Sequence, residues 1–383
     1  MKRVDVAIIG AGVFGLRLAW ALVARGARVA VLEAEAAPGV RAASSTPVGA
    51  LMPFPRAEPG DPLAALQAEG LALMPQDAAA LETATGGSVG YARTGRISPL
   101  PDKAARARAE AAAPAARARF AKDEALIWEV RTLGTDPDHA LLAPSEAAAG
   151  VLHESVTARL DAAAYLRALS TAIELAQPGA VIVGHAVTLP STTEEALAAG
   201  PAGPIRADQI VVAAGHQSAA LCEGISPAPV RPVKGQSAML AADLRDGRSA
   251  RPVPVIQRPG LFIVQHTGGR VGVGATSEPD RSDSGTDDAL DAVLERARRL
   301  VPRLAGARVL SRWSGVRPRP MGRLPVIGPV PGRQALWLAT GGHGIGIALA
   351  PAMAERLADA LTGQPSRLPT AFAPSHLPHG GTQ

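Results

Sequence analysis

The sequence predicts an α/β protein, α+β overall. A Rossmann-like domain is assembled from separated segments and carries an inserted antiparallel-sheet domain. Three observations predict this. A strand, a glycine turn and a helix open the chain, and an acid ends the next strand. A second glycine-rich turn at 341–346 leads into a helix running to 361. Between them, alternating strands occupy about 225–276. The 383 residues suit about two domains, and 47% apolar content is ample for a core.

Residues 4–9 form the first strand, 13–25 the first helix and 28–32 the second strand. Lys2 and Arg3 before an apolar run invite a secretory-leader reading, but Asp5 and Arg17 interrupt the run and three glycines divide it. Gly10 permits a tight turn, Gly12 lets the backbone approach a pyrophosphate, and Gly15 lets helix and strand pack closely. The helix N-terminus offers unpaired N–H groups and partial positive charge to phosphates. Glu33 ends the second strand, where its carboxylate accepts hydrogen bonds from ribose hydroxyls and repels a 2′-phosphate. A plain glycine turn is the alternative, and the motif alone does not separate FAD from NAD.

Residues 41–52 (RAASSTPVGALM) form a loop of small residues. Either Ser44, Ser45 and Gly49 approach a cofactor, or the segment merely connects. Residues 63–81 form a helix and 91–100 a strand and turn. The Ala/Arg segment 103–120 is broken by Pro114 into a solvated helix pair. An amphipathic helix covers 161–176, an interrupted strand 180–189 and a turn region 190–204. Residues 208–215 (DQIVVAAG) form a buried parallel strand ending at Gly215. Strands follow over 230–276. The helix 287–300 has acids at its start and arginines at its end, as its dipole favours. Residues 312–330 read as a loop dense in Arg, Pro and Gly, 335–339 as a strand, and 374–383 as a mobile tail. The expected division is a cofactor domain of 1–88, 150–218 and 312–373, with a substrate domain of 89–149 and 219–311.

Aromatics are 3% of the chain, and Tyr91 and Tyr165 are its two tyrosines, which argues against a surface that stacks bases. The net charge of +5 comes from arginine, with lysine only at Lys2, Lys103, Lys122 and Lys234. No aromatics interleave the arginines of 103–120, so no nucleic-acid partner is expected. One cysteine, Cys222, excludes a disulfide framework and a Cys-rich metal site, and suits a reducing cytoplasm. No metal is expected. No run of about 18 apolar residues predicts a transmembrane helix.

Eight segments carry a resemblance. They are GAGVFG at 10–15 with Glu33, SSTPVGAL at 44–51, VVAAG at 211–215, RPVKGQ at 231–236, VGVGATSEP at 271–279, WSGVRP at 313–318, LPVIGP at 324–329, and GGHGIGIALAPAMAERLADAL at 341–361. In order and spacing they resemble the D-amino-acid oxidase superfamily of FAD-dependent amine oxidoreductases, glycine oxidases above all. Residues 100–150 and the tail match poorly.

The resemblance implies FAD. On that mapping Val13, Phe14, Glu33 and Ala34 lie along the AMP half, and Val187 on the adenine side. Ala43, Ser44, Val48, Gly49 and Ala50 lie near the isoalloxazine, with Ser45, Gly215 and Gly315 in the same cofactor set. His343, Gly344, Ile345, Gly346 and Ile347 meet the pyrimidine edge, where a helix N-terminus stabilises the anionic reduced flavin. Cys222 lies away from Val316–Arg317, where covalent-flavin relatives carry a cysteine, so the FAD is expected to be non-covalent.

Arg317 takes the place of the family's carboxylate-binding arginine, which grips a substrate by two parallel charge-assisted bonds. Phe262 stands where the family has a tyrosine and cannot donate a hydrogen bond. The second arginine of glycine oxidases is absent after Gly342-His343. Gln236 and His343 join Arg317 and Phe262 in the substrate set, and Gln265 or His266 can assist. No counterpart of the oxygen-activating lysine of some relatives follows Lys234.

The implied reaction oxidises the C–H bond beside a primary or secondary amine, in a small amino acid of glycine, sarcosine or D-amino-acid type. Hydride passes to flavin N5 and an imine results. Oxygen or another acceptor then takes the electrons, with an oxidase favoured. Alignment rather than acid–base catalysis drives such a step, so His343 reads as a positioning residue. The alternatives are a quinone- or dye-linked dehydrogenase, an NAD-dependent dehydrogenase, and a non-catalytic flavin-binding subunit. A homo-oligomer is compatible with the sequence.

Overall fold

The protein is described here by a computed structural model covering residues 2–53, 60–120, 126–189, 197–223, 227–245 and 251–377. The strand Lys2–Ile9 lies between Val29–Leu32 and Ile205–Val212, parallel to both. Val181–Ile182 extends this sheet beyond Val29–Leu32. Arg333–Thr340 extends it beyond Ile205–Val212 in parallel, and Val326–Val330 closes that edge antiparallel. Strands from the start, middle and end of the chain therefore share one sheet. All four residues of Val29–Leu32 are buried, as expected for a strand covered on both faces.

Four helices pack on one face of this sheet: Val13–Ala24, Pro62–Thr85, Ala162–Ala176 and Gly346–Leu361. Pro62–Thr85 starts where the Asp61 carboxylate accepts from Leu63 N–H at 3.0 Å, and ends at Gly86 with φ 69°. One buried polar network ties all four helices together. Arg17 Nε donates to Asp77 Oδ1 at 2.7 Å, Tyr165 donates to the other Asp77 oxygen, and Arg17 Nη2 donates to Glu355 at 2.8 Å.

The larger sheet has nine strands among the described residues. At one end is its longest pairing, the antiparallel strands Val230–Ala241 and Arg308–Pro320. Arg270–Gly274, Leu261–His266 and Val255–Arg258 follow, then Arg96–Pro99, Val151–Glu154 and Trp128–Arg131. Leu290, Val293, Leu294, Ala297 and Leu300 of the helix Asp288–Leu300 are buried in its core. A three-stranded sheet of Ala50–Leu51, Ala158–Arg159 and Ala92–Arg93 completes the fold.

Several expectations need correction. Residues 312–330 are not a loop but most of the strand Arg308–Pro320 together with Val326–Val330. Arg308–Pro320 is paired along one side only, and an edge strand tolerates prolines because its outer N–H groups need no ladder partner. The strand joins the larger sheet, as does Val151–Glu154, so residues 312–320 and 151–154 belong to the sheet of Val230–Ala241.

Pro114 does not split its segment. Lys103–Arg119 is one helix, in which the high propensity of alanine offsets the missing N–H. The strand expected at 180–189 shrinks to Val181–Ile182, and 91–100 becomes two strands in different sheets. Part of the turn region, 190–196, lies outside the described residues, while Leu197–Ala198 pairs with Ile205–Val212. The tail begins packed, with Pro374 and Leu377 buried, and residues 378–383 lie outside the description.

Candidate active site

A cleft of about 2430 Å³ is walled by both large sheets. Typical small-ligand sites are roughly 300–1,000 Å³, so this one accommodates a dinucleotide and a substrate together.

The first wall is the turn after Lys2–Ile9. Gly10 has φ 107°, and a Cβ there would lie 2.7 Å from the Ala213 carbonyl. A Cβ on Gly15 would strike the Gly10 carbonyl, so Gly15 works from beneath the turn and does not line the cleft. Gly12 faces open space, its imagined Cβ having Ser44 Oγ as nearest atom at 3.6 Å. Ser44 Oγ accepts from Val13 N–H at 3.0 Å. Glu33 Oε2 accepts from Ala11 N–H at 2.8 Å and Oε1 from Glu35 N–H at 3.0 Å, which fixes the carboxylate against the turn. Phe14, Ala34 and Val187 line the same region.

Ala43, Val48, Gly49 and Ala50 line the cleft from the loop. Ser45 does not. Its hydroxyl donates to the carbonyls of Gly39 at 2.6 Å and Ala42 at 2.8 Å and braces the loop instead. His266 Nε2 lies 2.9 Å from the Val48 carbonyl, to which it donates from outside the cleft lining. Gly315 lets Arg308–Pro320 pass against Thr46, where a Cβ would collide with the threonine side chain. Trp313 Nε1 donates to the Thr46 carbonyl at 2.6 Å and clamps that contact. Sequence reading missed this clamp because it joins residues 267 apart.

The second glycine turn lies beside the first, with Gly342 and Gly346 against Phe14. Gly215 and His343, Gly344, Ile345, Gly346 and Ile347 all line the cleft, where the helix Gly346–Leu361 begins. His343 adopts φ 42°, and its buried Nε2 has no hydrogen-bond partner among the described residues. Burial, then the nearby charges of Arg317 and Arg319, lower its pKa to about 4, so the imidazole is neutral at neutral pH.

Arg317 stands on Arg308–Pro320 opposite Val233 and lines the cleft. Its guanidinium lies against Gly235, and Nη1 donates to the Thr276 carbonyl at 3.0 Å. No carboxylate forms an ion pair with it among the described residues. Burial lowers its pKa while Glu278 opposes that shift, and the guanidinium stays charged. Phe262 lines the cleft and pairs opposite Gly274.

Gln236 does not line the cleft. Gly235 and Ser237 line the cleft, and strand alternation turns Gln236 to the other face. There its amide donates to Glu278 at 2.8 Å and Asp287 at 2.7 Å. Gln265 also faces elsewhere and accepts from Leu244 N–H at 2.9 Å. Arg319, two residues beyond Arg317, was missed. Once 308–320 is a strand, the i, i+2 rule places it on the same face.

Cys222 is buried in the apolar cluster with Val4, Ile9 and Val212, and burial pushes its thiol up to about 11. Among the described residues no group of three or more His, Cys, Asp or Glu can hold a metal ion, and no helix is long and apolar enough to cross a membrane.

These residues fit a bound FAD. Gly12 leaves room for a pyrophosphate at a helix N-terminus, Glu33 offers acceptors for ribose, and His343 brings an unpartnered nitrogen to the second turn.

Comparison with known proteins agrees. The DAO family model, described as FAD dependent oxidoreductase, matches residues 5–360. Glycine oxidase of Geobacillus kaustophilus is 30% identical over 382 residues, covering 97% of this chain and 95% of that protein. Glycine oxidase of Pseudomonas putida is 36% identical over 175 residues, a match spanning 45% of this chain and 47% of that protein. Among solved structures, the Geobacillus glycine oxidase superposes with a TM-score of 0.86 at 27% identity, covering 100% of both chains. Iminodiacetate oxidase from Chelativorans sp. BNC1 superposes with a TM-score of 0.82 at 26% identity, covering 97% of this chain and 99% of that one.

Proposed function

Because this chain belongs to the DAO family of FAD-dependent oxidoreductases, we propose that it oxidises a primary or secondary amine in a small amino acid whose carboxylate Arg317 holds. The observation that carries the proposal is Arg317 itself. It is a guanidinium in the cleft wall with no carboxylate of its own, fixed by the Thr276 carbonyl and the flat surface at Gly235. A bidentate grip there sets the orientation of the α-carbon, and such alignment supplies much of the rate in a reaction without proton relay.

FAD, when bound, supplies a two-electron acceptor whose N5 takes the hydride and leaves the substrate as an imine. The chain's own groups prepare the amine. The positive charge of Arg317 lies nearby, which favours the neutral amine over the ammonium. His343 is itself uncharged at neutral pH and stands there as a neutral imidazole. Phe262 presents an apolar wall and excludes water from the reacting carbon. On this reading the substrate is of glycine, sarcosine or D-amino-acid type, and oxygen is the electron acceptor.

The test is an anaerobic screen of amines and amino acids in both enantiomers, with flavin bleaching as the readout and peroxide measured once air is readmitted. Arg317→Ala should abolish bleaching by carboxylate substrates and binding of carboxylate ligands. Turnover that survives this change intact refutes the proposed orientation. Bleaching without peroxide points to a dehydrogenase.

A further inference from the structure

Eight arginines line the cleft. Five already hold a carboxylate: Arg41 with Glu35, Arg96 with Glu154, Arg258 with Glu146, Arg312 with Asp291 and Arg323 with Asp61. Of the remaining three, Arg108 is exposed on the helix Lys103–Arg119. The other two, Arg317 and Arg319, stand side by side on Arg308–Pro320. They sit opposite Val233 and Arg231, on the same face, and both bear on His343. The Arg319 side chain makes no hydrogen bond or ion pair among the described residues. Arg319 is exposed and lines the cleft, while the chain satisfies most of the neighbouring arginines.

Two adjacent guanidinium groups without ion-pair partners repel each other and are stabilised by two anions. We propose that Arg319 binds a second carboxylate, and that the substrate is an amino acid bearing two carboxylates, the second on its side chain or its nitrogen substituent. The inference rests on the carboxylate role proposed for Arg317.

Spacing sets the reach. Residues i and i+2 of a strand stand about 7 Å apart, so two parallel arginines match carboxylates separated by a few bonds. One carboxylate at Arg317 fixes the α-carbon, and the second at Arg319 selects among amines without touching the reacting bond. Phe262 fits this reading. It offers no hydroxyl to the first carboxylate, so a second charged contact compensates for a missing neutral one.

The experiment uses the FAD-loaded protein and two unreactive probes followed by flavin absorbance. Oxydiacetate carries two carboxylates and methoxyacetate carries one. The wild type should bind oxydiacetate roughly tenfold or more tighter. Arg319→Ala should remove that preference and leave methoxyacetate binding unchanged, and Arg319→Lys should retain part of it. Flavin reduction by aspartate and glutamate enantiomers, compared with glycine and alanine, should show the same preference in KM.

An unchanged preference in Arg319→Ala overturns the inference. So does a loss of FAD affinity in that variant, which would make Arg319 a cofactor contact. If methoxyacetate binds through Arg317 and oxydiacetate gains nothing, the second-carboxylate site fails while the proposed function stands. If neither probe binds and no amino acid bleaches the flavin, the role of Arg317 fails as well.

Discussion

Gly235→Ala tests the substrate end of the cleft without deleting any functional group. Gly235 lies on Val230–Ala241 opposite Gly315, and its backbone is not in the left-handed region, so alanine meets no conformational strain there. What the new Cβ meets is the Arg317 guanidinium, whose Cζ and two Nη atoms all lie well inside 3.0 Å of it. Ordinary carbon contacts are about 3.5–4 Å, so the head group must retreat by about 1 Å or more. Retreat also strains the 3.0 Å bond to the Thr276 carbonyl. A misplacement of about 1 Å in a positioning group costs on the order of a hundredfold in rate, or about 3 kcal/mol of transition-state stabilisation.

The guanidinium is the far end of a flexible side chain, so the fold should yield cheaply. Thermal midpoint and FAD content should therefore stay close to wild type. Anaerobic stopped-flow reduction by the best amino acid of the screen should slow by about two orders of magnitude, with weaker binding of carboxylate ligands. A Gly235→Ala protein that reduces its flavin at the wild-type rate refutes the placement of Arg317. A protein that loses FAD or unfolds refutes the claim that only the arginine head is displaced.

Three further outcomes follow from buried or coupled groups. Asp77→Ala leaves Arg17 with Glu355 as its remaining carboxylate and strands the buried Tyr165 hydroxyl, and urea titration should show a loss of about 2–4 kcal/mol. Glu33→Ala leaves the Ala11 and Glu35 N–H groups without their carboxylate, and flavin-release fluorescence should report FAD binding weaker by roughly tenfold to a hundredfold. His153 contacts His139 at 2.7 Å between ring nitrogens, and burial lowers its pKa to about 4. Because Gly134 N–H donates to His139 Nδ1, neutral His139 donates from Nε2 to His153. The unfolded chain, with an ordinary histidine pKa near 6.5, then binds a proton that the folded chain refuses. The stability from this pair is complete above about pH 6.5 and is lost as pH falls toward 4. Thermal midpoints of His153→Gln between pH 4 and 7 should show a shallower slope than wild type, and an equal slope would refute the assignment.

Much of the site was legible because its physics is local. Gly10, Gly12, Gly15 and Glu33 sit within one strand–turn–helix–strand unit, where spacing alone dictates the chemistry. Arg317 was legible only through its resemblance to a family, since many arginines crowd that stretch and nothing local distinguishes one from another. Gln236 was misplaced for a simple reason. Side chains alternate across a strand, so an error of one position moves a residue from the cleft to the opposite face. Arg319 was hidden by composition, because a segment rich in Arg, Pro and Gly reads as a loop until its pairing with Val230–Ala241 is known. Ser45 looked like Ser44 in sequence, yet one caps Val13 N–H and the other braces Gly39 and Ala42.

By itself the sequence determined the class of fold, the dinucleotide turn and the family, because these depend on short-range backbone rules and on motifs in a set order. Tertiary structure decided which arginines are free to meet a substrate. Arg312, Arg317, Arg319 and Arg323 are equivalent as letters within one stretch. Asp291 and Asp61 neutralise the outer two, and no described carboxylate forms an ion pair with the inner two. Charge compensation depends on distances of a few ångströms between residues far apart in the chain, and only folding sets those distances.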